Sequence, residues 1–249
     1  MVAGSGTDIH DILPVYDKVR SLPTTGLPEI GQFILTVTPD FNPPLRIYDA
    51  KRANQTTHTQ VSGVIRGIDA AIDFKPKLGR LPVVGLHLGN CEEILAIHAK
   101  ARRCIVLATT GSIADTHLPK AEQGLARPAF QRPSFLVAPL FSVSAPGEPR
   151  AITPTIAARA ECLVYPQLVF LPRSGGIVQS DSVARLDRAF WTTLPQPTSL
   201  YKLALTPERM GILQGQIQVL QGLEPPPGYT EMVQIARSVL APEYEALLP

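Results

Sequence analysis

Cysteine is scarce: Cys91, Cys104 and Cys162 are an odd number, without the short paired spacings that hold zinc. That excludes a disulfide framework, and no metal set is visible. Cys104 and Cys162 sit among aliphatic neighbours and are expected to be reduced core residues. Long apolar runs are also missing. No window reaches the roughly 18 residues of a membrane span, and M-V-A-G-S-G at the start lacks a charged segment before an apolar run. The expectation is a cytoplasmic chain with no membrane partner. Strong charge of one sign is absent as well, with a formal net charge of +2 and 18% charged residues. Dedicated nucleic-acid binders are usually more basic, so any such role rests on a local patch. There is no Gly-x-Ser-x-Gly, no phosphate-binding glycine loop, no dinucleotide glycine motif and no paired metal-binding histidines. No cofactor and no metal are therefore expected.

What the chain does have is proline, 25 of 249 residues, about twice average usage and scattered rather than repeated. Scattered prolines end elements, which predicts many short strands and long ordered loops rather than a helix bundle. With 45% hydrophobic residues, a chain of this length can bury a sizeable core.

Apolar runs bounded by turn residues predict strands at 30–37, 45–48, 81–88, 104–107 and 133–141. Further strand regions are expected within 163–172 and 177–187. Residues 60–72, with Gly63 and Gly67, read as a bent strand or a helix, and periodicity leaves the two open. A helical turn is expected within 7–22 despite Pro14, and a weak helical pattern covers 118–125. Residues 92–99 (E-E-I-L-A-I-H-A) are good helix formers, with acids at the start and Lys100 at the end, which suits the helix dipole. One or two helical turns are expected over 155–162. Thr206, Pro207 and Glu208 form a cap followed by proline at the first position, and Met210, Leu213, Ile217 and Leu220 continue an apolar stripe to Gly222. A last amphipathic helix is expected over 229–240. Phe190 and Trp191 form an aromatic pair expected to anchor core or a subunit interface.

Three stretches carry the candidate chemistry. K-A-R-R-C-I-V-L (100–107) runs three cations into an aliphatic strand; P-S-F-L-V-A-P-L-F-S (133–142) is a strand ending in a hydroxyl; S-D-S-V-A-R-L-D (180–187) is a third, with Val183 between polar neighbours. Their order resembles the MazF/PemK family of small β-barrel endoribonuclease toxins, in which a Lys-x-Arg-Pro loop precedes a strand, a second strand ends in Thr-Ser, and a third reads Asp-Ser-x-Val-x-x-Asp. The matching residues are Lys100, Arg102 and Arg103; Val137, Pro139, Leu140, Phe141 and Ser142; and Asp181, Ser182, Val183 and Asp187.

The resemblance implies a mainly β fold, a small SH3-like β-barrel with peripheral helices. It divides the chain into an N-terminal extension (1–80), a barrel with its closing helix (81–222), and a linker with a C-terminal helix (223–249). It also implies metal-independent cleavage of single-stranded RNA, with Arg102 and Ser142 as catalytic residues, Lys100, Arg103 and Arg132 binding RNA, a homodimer, and an antitoxin or other protein partner. Preorganised charge on the pentacoordinate phosphate is worth roughly 10²–10³ in rate. Two departures oppose that reading. Phe141 stands where the family has threonine, and Arg103 replaces the loop proline. The alternative is a non-catalytic module that binds RNA or a protein. A basic excess over 100–132 (Lys100, Arg102, Arg103, Lys120, Arg127 and Arg132 against Asp115 and Glu122) would attract phosphates, although a solvated loop face has the same composition.

Overall fold

The computed structural model describes residues 13–19, 27–40, 43–52, 60–76, 86, 88, 91–111, 118–120, 132–144, 152–193 and 199–238. The protein is mainly β, and the chain divides into two compact units, Met1–Val37 with Ala101–Pro249, and Thr38–Lys100. The division differs from the expected boundaries after residues 80 and 222. The larger unit gathers sequence from both sides of the smaller one, because β2 (Gln32–Asp40) and β6 (His98–Thr110) are neighbours in one sheet.

That sheet has eight strands in the order β1-β11-β2-β6-β7-β9-β8, with β10 also paired to β7, and it curls into a half-barrel. Here β1 is Tyr16–Asp17, β7 Ser134–Ser142, β8 Leu168–Leu171, β9 Ser182–Arg185, β10 Phe190–Thr193 and β11 Ser199–Leu205. One edge of β7 is shared: its first half takes β10 and its last residues take β9. Alternation along β6 and β7 divides their side chains between two cores. Ile105, Ala138 and Leu140 join Phe33, Ala184 and Leu213 on one face, and Cys104, Val106, Val137 and Ile34 cluster on the other.

Among the described residues three helices accompany the strands: α1 (Pro154–Glu161), α2 (Pro207–Leu220) and α3 (Tyr229–Ser238). The first two start alike, on a threonine cap followed by proline. Thr153 accepts from the Ile156 amide and Thr206 from the Arg209 amide, each at 3.3 Å. The α2 stripe is only partly as expected: Leu213 is buried, but Leu220 is exposed and Ile212, Gly215 and Gln216 are buried in its place.

The smaller unit holds a three-stranded sheet, β4 (Val61–Gly67) against β3 (Arg46–Arg52) against β5 (Ile94–Ala96). The helix expected over 92–99 is therefore corrected to strand. Ile94, Leu95 and Ala96 pair with Tyr48, Ile47 and Arg46, and the ladder available there outweighs a helix propensity of a few tenths of a kcal/mol per residue. Strand wins at 60–72 as well, through residue 67. Within 177–187 only Ser182–Arg185 is strand, and Leu186–Arg188 is a 3₁₀ turn. Where a helical turn was expected in 7–22, the described part contains β1, paired to β11. The 81–88 strand, apart from Leu86 and Leu88, and the 118–125 pattern beyond residue 120 lie outside the described residues.

Candidate functional site

The register of β6, β7 and β9 decides which of the marked side chains meet. Cys104 pairs with Pro139, and Phe141 pairs with Val183. Arg102, two residues before Cys104, shares the face of Cys104, Pro139 and Phe141, because positions two apart on a strand point the same way. Arg185, two residues after Val183, joins the same face. The outcome is one aromatic ring between two cations. The Arg102 guanidinium carbon lies 4.4 Å from the Phe141 ring centroid and that of Arg185 lies 5.7 Å away. Phe141 is half-buried and packs on the cluster of Ile152, Ala157, Leu168 and Val183, so the ring is fixed from below.

The two cations differ in what else they touch. The Arg185 fork closes on Asp187, with Nε 3.0 Å from Oδ1 and Nη2 on Oδ2, and Arg188 Nε stands 3.9 Å from the same carboxylate. The hydrogen bond to Asp187 raises the Arg185 pKa further, against some loss from burial, so that charge is permanent. Arg102 is half-buried, and its side chain has no hydrogen-bond or ion-pair partner among the described residues. A guanidinium stacked on a ring keeps its N–H donors in the plane, directed outward.

Ser142, the expected hydroxyl, is exposed and pairs across the sheet with Ser182. Being adjacent to Phe141, it points to the opposite face from Arg102. Ser182 is buried, with its hydroxyl donating to Ser180 O at 2.8 Å. Arg103 falls on the Leu140 face, half-buried, and its Nε is enclosed without a hydrogen-bond partner among the described residues. Arg132 is exposed just before β7, nine residues from Phe141. At about 3.3 Å per residue that is nearly 30 Å of extended chain. Lys100 is exposed and belongs to the smaller unit. In the basic tract, Asp115, Glu122 and Arg127 lie outside the described residues.

The structure thus brings Arg102 to Phe141 and sets Ser142, Arg103 and Arg132 elsewhere. It makes Phe141, marked in the sequence only as standing where the family has threonine, a platform, and it adds Arg185, which sequence reasoning passed over, as the second cation. A signal for Arg185 was present: it follows Val183 by two in a strand. No group of three or more His, Cys, Asp or Glu side chains able to hold a metal forms among the described residues. No described helix is long and apolar enough to cross a membrane. Of the aromatic pair, Phe190 packs on the Cys104–Val137 core, while Trp191 is 54% exposed. No protein-family model, curated protein or solved structure matches this chain.

Proposed function

We propose that this protein binds single-stranded RNA through Arg102, Phe141 and Arg185, and that it binds without cutting. The observation that carries the reading is the stack itself: a ring clamped by core, covered by a guanidinium whose hydrogen-bonding edge has no described partner. Unpaired bases stack on guanidinium planes as well as on aromatic rings, and the outward donors suit a phosphate oxygen or a base edge. Asp187 offsets the charge of Arg185, but with Arg188 on the same carboxylate the group of three keeps a net positive charge beside the same ring. Cleavage needs a proton donor or acceptor and a cation at one phosphate. The adjacent hydroxyl, Ser142, is on the other face of the sheet from Arg102.

The test is titration of a fluorescent single-stranded RNA with the full chain at several salt concentrations. Arg102→Ala is expected to weaken binding by roughly tenfold, within the 1–3 kcal/mol of one stacked base, and to reduce the salt slope by about one. Phe141→Ala should weaken it similarly while leaving that slope nearly unchanged. Wild-type protein that shows no RNA affinity at low salt would sink the reading. Chelator-insensitive cleavage that disappears in Arg102→Ala would replace it with the endoribonuclease reading. Phe141→Thr then measures whether the ring suppresses that chemistry.

A further inference from the structure

The smaller unit keeps an unusual amount of apolar surface in water. Of the fourteen large hydrophobic residues that are exposed among those described, seven belong to Thr38–Lys100: Leu45, Val64, Ile65, Ile68, Ile72, Phe74 and Leu95. Two adjacent residues of β4, Val64 and Ile65, are 64% and 54% exposed, so both faces of that strand are open. β4 pairs with β3 over seven consecutive residues without a bulge, and its other edge takes no strand among the described residues. Sequences usually protect such an edge with proline, lysine or a bulge. V-S-G-V-I-R-G has none of these.

The turn after β4 is held firmly while displaying more apolar side chains. The buried Asp73 carboxylate accepts from Arg66 Nη1 at 2.8 Å, from Arg66 Nη2 at 2.6 Å and from the Asp69 amide at 2.7 Å. Phe74 follows with φ of 57°, a left-handed conformation that costs a non-glycine residue free energy. A fastened turn that holds Ile72 and Phe74 half in water is preorganised for contact.

We infer that β4 pairs antiparallel with β4 of a second copy of this chain, about a two-fold axis through Val64, joining two three-stranded sheets into one of six. Val64 is the central residue of Val61–Gly67, so self-pairing there uses the whole strand, with Val61 opposite Gly67, Ser62 opposite Arg66 and Gly63 opposite Ile65. Charge favours a second copy over a charged peptide. The one charged residue of β4, Arg66, is matched inside its own unit by Asp73 and, at 3.5 Å, by Asp49. Two copies therefore approach without like-charge repulsion, and an acidic or basic partner strand finds no free counter-charge on β4. The pairing covers Val64 and Ile65, and the edge amides and carbonyls gain partners.

Sedimentation of the full chain over a range of concentrations reads the mass, and two substitutions locate the axis. Val64→Lys sets two ammonium groups face to face and should weaken the dimer by at least about tenfold, with the circular dichroism of the monomer unchanged. In a Cys91→Ser background, which removes the exposed native thiol, Val64→Cys places two cysteines opposite each other within disulfide reach, and mild oxidation should give a covalent dimer. Val61→Cys faces Gly67 and should form no covalent dimer on oxidation. A wild-type monomer at every concentration, a dimer indifferent to Val64→Lys, or cross-linking of Val61→Cys in preference to Val64→Cys would each overturn the inference.

Discussion

Replacing Gly215 with alanine sets two effects of opposite sign against each other. Gly215 lies inside α2, where alanine is favoured over glycine by about 1 kcal/mol of helix propensity. Yet a Cβ built there would stand 2.2 Å from Cδ2 and 2.5 Å from Cγ of Tyr229. Those atoms are near the base of the ring, so rotation of a flexible tip cannot relieve the overlap. Tyr229 is the first residue of α3, whose Met232, Val233 and Ala236 pack with Leu163 and Ile212. Moving the ring means moving the helix. Overpacking of this kind costs about 1–3 kcal/mol, which outweighs the propensity gain. The expected outcome is a net loss of up to about 2 kcal/mol by urea denaturation, a fall of up to roughly 8 °C in Tm for a chain of this size. The sign should reverse in a Tyr229→Ala background, where Gly215→Ala becomes stabilising because the obstacle is gone. A second readout follows the ring itself. Burial holds the Tyr229 phenol above its ordinary pKa, so a displaced ring should titrate lower. Gly215→Ala that raises the Tm of the wild type would refute the close α2–α3 contact.

Two further outcomes follow from buried groups. Tyr16 donates to Pro172 O, and its pKa is raised, first by burial and then by Asp181. Its contribution to stability is therefore complete below the unfolded value of about 10 and is lost as pH rises beyond it, at up to about 1.4 kcal/mol per pH unit. Urea midpoints measured across that range should fall less steeply in Tyr16→Phe, and an unchanged slope would remove Tyr16 as the cause. Cys91 is exposed while Cys104 and Cys162 are buried. One thiol of the native protein should react rapidly with an aromatic disulfide reagent and the other two only after denaturation, so three fast equivalents would contradict the burial.

Much of the fold was legible because its signals are local. The Thr-Pro pair at 206–207 fixes a helix start through one side-chain oxygen and one ring, both set by adjacent residues. The strand at 133–141 shows itself as an aliphatic run after a proline, and proline scattered through the chain forecast short strands. Residues 92–99 failed the same treatment, since their helix propensity was overridden by pairing with β3, which lies more than forty residues earlier in sequence.

Sequence alone determined that this protein is mainly β, where several strands run, and that Arg102 enters one of them. It could not determine what Arg102 would face. Alternation assigns each residue of a strand to one of two faces, but which faces coincide depends on cross-strand register, set by pairings between segments about forty residues apart. A shift of one residue between β6 and β7 would have brought Arg102 over Ser142 and left Phe141 on the other side. Only the tertiary structure fixed that register, through the burial of Ile105, Ala138 and Leu140 in one core and Cys104 and Val137 in the other. The same burial put Phe141 beneath Arg102.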